Sequence, residues 1–221
     1  MELAAVIKER RSIRKFKPQD VPKDKITEIL EEARWSPSWG NTQPWYLYVL
    51  TGKTLAKFKE MNLRTMMAGV AISPDVPMLE KWPDNMKARY MELGKVVLTA
   101  QGIKREDKEA RAKHYQNMIS VFDAPCLILT CISRDNLVEY QMLDIGLITQ
   151  TICLVAHDKG LGTCIMAAAA WYPAEIRKIT AIPDDKRIIA GIALGYPDPS
   201  FPLNNFERNR AKLDEFVHWM E

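Results

Sequence analysis

Pro125-Cys126-Leu127-Ile128-Leu129-Thr130-Cys131-Ile132 is a continuous apolar run of strand length, and it reads as a strand covered on both faces. A second run of the same kind, Arg187 to Leu194, supplies another buried strand. Trp45 to Leu50, rich in aromatic and β-branched residues, forms a third. Gly162 to Met166 makes a brief fourth. Helices are expected over residues 2–11, from Pro22 toward Pro37, 53–61, 84–101, 105–120, 137–158 and 173–179. Strands and helices do not alternate regularly, so the pattern favours an α+β sheet over a parallel doubly wound one. The 221 residues fit one domain, 1–221, with enough chain to bury a core without metal or disulfide staples.

Residues 62–86 resist this reading, because Pro74, Pro77 and Pro83 interrupt any regular element. Six of the 11 methionines fall between Met61 and Met91. Methionine adapts to irregular contacts, so a lid or pocket wall at about 62–95 fits, and so does a gap-filling subdomain core.

Charge and composition exclude several function classes. The net charge of +3 is too small for a general polyanion binder, so nucleic acid is not an expected partner. Three histidines without ligand spacing leave no expected metal site. Cys126, Cys131, Cys153 and Cys164 each sit in apolar surroundings and read as core residues of a reducing, cytoplasmic compartment. The longest apolar stretch, Tyr140 to Ala156, is broken by Gln141, Asp144, Thr149 and Gln150, so a buried helix is expected and not a membrane span. Buried polar groups such as Asp144 then need internal partners.

The charge is unevenly placed. Lys8 to Lys17 holds six positive residues against one acid, Glu9, with Ser12 among them, and Arg208, Arg210 and Lys212 form a second cluster. Arginines around a hydroxyl at a helix end can grip a phosphate. A solvated basic helix end complementing the macrodipole gives the same pattern. Gly160-Leu161-Gly162-Thr163 reads as a helix stop followed by tight entry into a strand.

Three blocks in order, Arg10-Arg11-Ser12-Ile13-Arg14-Lys15-Phe16, Ser36-Pro37-Ser38-Trp39-Gly40-Asn41-Thr42-Gln43-Pro44-Trp45 and Gly160-Leu161-Gly162-Thr163-Cys164, closely resemble the flavin-dependent nitroreductase family. The resemblance spans nearly the whole chain. The middle, Gly102 to Lys108 and Phe122 to Pro125, is similar to the subgroup that includes nitrobenzoate reductases. It implies a central, mostly antiparallel sheet flanked by helices, in an intertwined homodimer with FMN at the subunit interface. It also implies reduction of nitroaromatics, quinones or similar flat electron-poor acceptors by NAD(P)H in a ping-pong hydride-transfer cycle. Flavin N5 would carry the hydride, with no catalytic side chain. Same-fold ene-reductases, flavin reductases, reductive dehalogenases and flavin-destroying oxygenases remain alternatives, as does a non-catalytic flavin-binding protein.

By position, Arg10, Arg11, Ser12 and Arg14 would meet the FMN phosphate, ribityl chain and pyrimidine edge, joined by Arg208 and Arg210. Pro37, Ser38 and Trp39 would come from the partner chain, with Asn41 and Gln43 nearby. Met166, Ala167 and Ala168 would offer backbone N–H groups near flavin N5, and no side-chain role is possible at Ala167. Trp39, Trp82, Tyr90 and Phe122 are the candidate stacking walls for substrate, and ordinary packed aromatics are the competing reading for each.

Overall fold

The computed structural model describes residues 1–135 and 138–221. Its sheet has four strands: β1 (Tyr46–Thr51), β2 (Cys126–Ser133), β3 (Gly162–Met166) and β4 (Lys186–Gly195). Their order is β1-β2-β4-β3, and every neighbouring pair is antiparallel. β2 is therefore central, and Cys126 through Ile132 are all buried. Continuous apolar strands usually mark parallel sheets covered on both faces. Here the sheet is antiparallel, and the same sequence signature arises because helices cover both of its faces.

The helices are α1 (Leu3–Glu9), α2 (Lys23–Ala33), α3 (Gly52–Met67), α4 (Asp84–Ala100), α5 (Lys108–Ile119), α6 (Val138–Asp158) and α7 (Pro173–Thr180). Leu127, Leu129 and Cys131 point to one face, where they join Phe58 and Met61 of α3 and Ile176 of α7. Cys126 and Ile128 point to the other, against Ile26, Ile29 and Ala33 of α2 and Ile148 and Ile152 of α6. The pairing of β2 with β4 shifts between Thr130 and Cys131, so Thr130 faces Ala190 while Cys131 faces Ile188. One extra residue on β4 reverses the inside-outside alternation. That places Ile188 and Ala193 on the same face despite their odd separation.

Most ends shift by one to three residues from the sequence expectation, and two differences have a clear physical reason. α3 continues past Met61 to Met67, because its late core-facing positions are the polar Asn62 and Thr65, both buried. An apolar period cannot register them. Pro22 is the residue before α2, not its first turn, in the extended conformation suited to that place. The expected start of α6 at 137 lies outside the described residues.

The segment 68–83 is irregular and leads into α4, of which Val97 is the buried residue. Asp75 fastens it to the body, accepting from Arg134 Nη2 (2.5 Å), Arg177 Nη2 (2.6 Å) and the Ile188 N–H (2.9 Å). Burial pushes the Asp75 carboxyl up, but those three donors outweigh it and leave it below the usual carboxylate range.

Candidate functional site

The two basic ends of the chain meet at the open edge of β3. After α1 the backbone becomes extended at Arg10, and Ser12 pairs with Thr163 while the Ile13 N–H donates to the Thr163 carbonyl (2.8 Å). This pairing needs Gly162, since a Cβ there would stand 2.5 Å from Ile13 Cγ1 and 2.9 Å from Pro197 Cγ. The buried Asn204 binds the tail to the same segment. Its Oδ1 accepts from the Arg14 N–H (2.7 Å), and its Nδ2 donates to the carbonyls of Lys15 and Asp198 (2.8 Å each). Arg11 Nη1 reaches back to the carbonyls of Asn204 (3.0 Å) and Phe206 (3.2 Å). Arg208 donates to the carbonyls of Arg10 and Lys8. The Arg14 guanidinium lies 5.7 Å from the Phe206 ring centre. Arg210 stays exposed and donates to the Asn209 carbonyl (2.8 Å).

This arrangement concentrates positive charge without neutralising it. Among the described residues, none of Arg10, Arg11, Arg14, Arg208 and Arg210 forms an ion pair. Burial, then the charges of Arg11, Arg210 and Arg10, hold Arg208 below its ordinary pKa. The Arg10 Nε is buried and lacks a hydrogen-bond partner among the described residues. A buried donor without a partner is costly, and an anion would satisfy it. The residues present therefore fit a phosphate-bearing ligand.

β3 supplies the neighbouring wall. Thr163 turns its carbonyl outward to Ile13, so by strand alternation Ile165 presents its backbone to the same open edge. The strand ends at Met166 and passes into a 3-10 turn over Ala167–Ala170. Met166 and Ala168 are buried and Ala167 is exposed.

A second feature is the turn after α2. Ser36 Oγ donates to the Ala33 carbonyl (2.7 Å), anchoring its start. Gly40, Asn41 and Gln43 then take φ of 55°, 55° and 47°. The Gln43 N–H donates to Ser38 Oγ (2.9 Å), and the Trp39 N–H donates to Asp144 Oδ1 of α6 (3.0 Å). The Trp39 and Tyr140 rings stand 5.3 Å apart, in a cleft of about 430 Å³ that Gln43, Tyr46 and Asp144 also line.

Of the residues singled out in the sequence, Arg10, Arg11, Ser12, Arg14 and Arg208 gather in one place, with Arg210 at its rim. Pro37, Ser38, Trp39, Asn41 and Gln43 share the turn on α6. Among the described residues no hydrogen bond joins the turn to the arginines. Trp82, just before α4, and Tyr90, within α4, are exposed and stack on each other at 5.3 Å, outside the Trp39 cleft. Phe122 lies in the core, 5% exposed, in a run of left-handed φ from Val121 to Asp123. That is the placement of a packing residue, not of a stacking wall. Asn204 and Asp144 organise the two features, and sequence reasoning assigned neither that role. The only available signals were a polar residue in the Pro-rich tail and a carboxylate in an apolar helix.

An α+β fold with an unneutralised arginine cluster beside the edge strand of its sheet is an arrangement that suits a phosphate-bearing ligand. The chain belongs to the nitroreductase family, whose model matches residues 7–196. It is 31% identical over 220 residues to a 4-nitrobenzoate reductase of Pseudomonas putida, covering 98% of this chain and 94% of that one. It is 30% identical over 218 residues to a chloronitrobenzene nitroreductase of Comamonas testosteroni, covering 96% and 94%. Among solved structures, the FMN and NADPH-dependent nitroreductase NfnB from Sphigopyxis sp. strain HMH superposes with a TM-score of 0.96 over the full length of both chains, at 27% identity. Among the described residues no helix is long and apolar enough to cross a membrane, and no group of side chains could hold a metal ion.

Proposed function

We propose that the protein is an FMN-dependent oxidoreductase that uses NAD(P)H to reduce nitroaromatics or similar flat electron-poor acceptors. The observation that carries the proposal is the convergence of Arg10, Arg11, Arg208 and Arg210 from opposite ends of the chain, none of them in an ion pair among the described residues. A doubly charged phosphate is the ligand such a cluster suits. The nitroreductase activity of the relatives, and the FMN and NADPH dependence of NfnB, support the same reading.

In this proposal the arginines hold the phosphate, Ser12 the ribityl chain, and Arg14 the pyrimidine edge. The backbone of Ile165 to Ala168 lines the ring. Bound FMN would supply the two-electron redox chemistry. The turn carrying Pro37, Ser38, Trp39, Asn41 and Gln43 completes the site of a partner subunit in a homodimer. Exposed apolar side chains support that assembly: Tyr140 and Leu143 on α6, and Leu213, Phe216 and Trp219 in the tail. Segment 62–95, with Trp82 and Tyr90, would act as the lid against which an aromatic acceptor stacks. A reducing, cytoplasmic setting suits the four unpaired, buried cysteines.

The purified protein should be yellow, and it should bleach anaerobically with NADH or NADPH and regain colour on adding a nitroaromatic. Colourless protein that refuses added FMN overturns the proposal.

A further inference from the structure

Asp144 is a buried carboxylate in the apolar first half of α6, 2% exposed. Among the described residues it enters no ion pair. Such a group costs stability unless N–H donors compensate it, and its donor is the main chain of Trp39, 105 residues away. That N–H opens the turn in which Gly40, Asn41 and Gln43 are all left-handed. Glycine and asparagine tolerate this region, but glutamine adopts it rarely. The turn's other hydrogen bonds close it on itself: Gln43 N–H to Ser38 Oγ (2.9 Å) and Thr42 Oγ1 to the Trp39 carbonyl (2.9 Å). Among the described residues, the bond to Asp144 is the one that ties residues 37–43 to the body of the protein. Tyr140, one helical turn earlier on the same face of α6, backs the Trp39 ring. A carboxylate for the main chain and a ring for the side chain thus hold one strained turn in one place.

We infer that Asp144 is a positioning residue of the cofactor site. It fixes the turn over residues 36–44 so that Ser38, Trp39, Asn41 and Gln43 meet the FMN of a partner subunit already ordered. This deepens the FMN-dependent reading and rests on it. Asp144 acts through Trp39 and touches no ligand itself. Without it the turn relaxes toward ordinary backbone angles and must be re-ordered at each binding event, which weakens binding.

The test uses the full-length protein stripped of flavin, titrated with FMN by fluorescence, alongside amide hydrogen exchange of the peptide spanning 36–44. Asp144→Ala removes the acceptor. Asp144→Leu removes it while filling the space, and so covers the case in which the alanine variant fails to fold. Asp144→Asn keeps an oxygen acceptor. The expected result is at least tenfold weaker FMN binding and fast exchange at 36–44 for the Ala and Leu variants. The Asn variant should lie within threefold of the unmodified protein on both measures. Mixed dimers of Asp144→Leu and Arg208→Ala chains should recover one FMN per dimer, because one site then joins intact arginines to an intact partner turn. Unchanged FMN affinity in a folded Leu variant, an Asn variant as weak as Leu, or no recovery in mixed dimers would each overturn the inference. If the unmodified protein itself refused FMN, the functional reading would fall, and the exchange measurement would still decide whether Asp144 holds the turn.

Discussion

Arg208 concentrates the chemistry of the proposed anion site in one side chain. It bridges the carbonyls of Lys8 and Arg10 and is the guanidinium whose pKa burial and the neighbouring arginines depress. Replacing it with alanine removes a charge and a structural fork together. The expected loss is about 2 kcal/mol of FMN binding free energy, or roughly thirtyfold in Kd, read by flavin fluorescence. Arg208→Lys keeps the charge but cannot span two carbonyls, and should fall between the two. An alanine variant binding FMN as tightly as the parent would remove Arg208 from the site. The arginines were legible as a sequence cluster because charge type and spacing are local properties. Asn204 and Asp144 were not, since each acts through hydrogen bonds to residues far away in the chain. The core placement of Phe122, within a left-handed run from Val121 to Asp123, was likewise not signalled by its residue type.

At the level of elements, the strands and the long helix could be read from composition, because an apolar run of eight residues has few other places to go. The antiparallel order came from the family resemblance and not from the apolar runs, since covering helices make the central strand look like one from a parallel sheet. The glycine pair before β3 was readable in outline. Gly160, at φ 74°, stops α6, and Gly162 lets the arginine segment lie against the strand. Gly162→Ala drives a methyl group into Ile13 and Pro197, and overpacking of this kind costs about 1–3 kcal/mol. The thermal midpoint should fall by about 5 °C. FMN affinity should fall with it, because Arg10 to Arg14 are displaced as a unit. A variant that loses stability but keeps full FMN affinity would show that the segment moves independently of the site.

Across the whole molecule, the small net charge conceals basic ends gathered at one edge of an otherwise mildly acidic body, and burial decides how that body responds to acid. His114 and His157 both titrate below the ordinary value of 6.5. Burial is the main cause, with Arg14 adding to it at His114. At His157 Glu9 opposes the shift and Arg10 and Arg208 reinforce it. The unfolded chain therefore binds more protons than the folded one once the pH drops below about 6.5. Stability should be level above that pH and decline as pH falls through the depressed folded values. Asp75 adds a second, lower limb. Its folded pKa lies below the ordinary carboxylate value of 3.8, so its contribution is complete above that pH and is lost beneath it. Thermal melts of the flavin-free protein should give the same midpoint at about pH 7.5 and 8, a lower one near 5, and a further drop below about 4. His157→Gln should make the first decline shallower, with His114 carrying the remainder, and leave the second, whereas Asp75→Asn should lower the midpoint at neutral pH and flatten the second. A midpoint that held level from neutrality down to pH 5 would mean that neither imidazole is kept neutral by the fold.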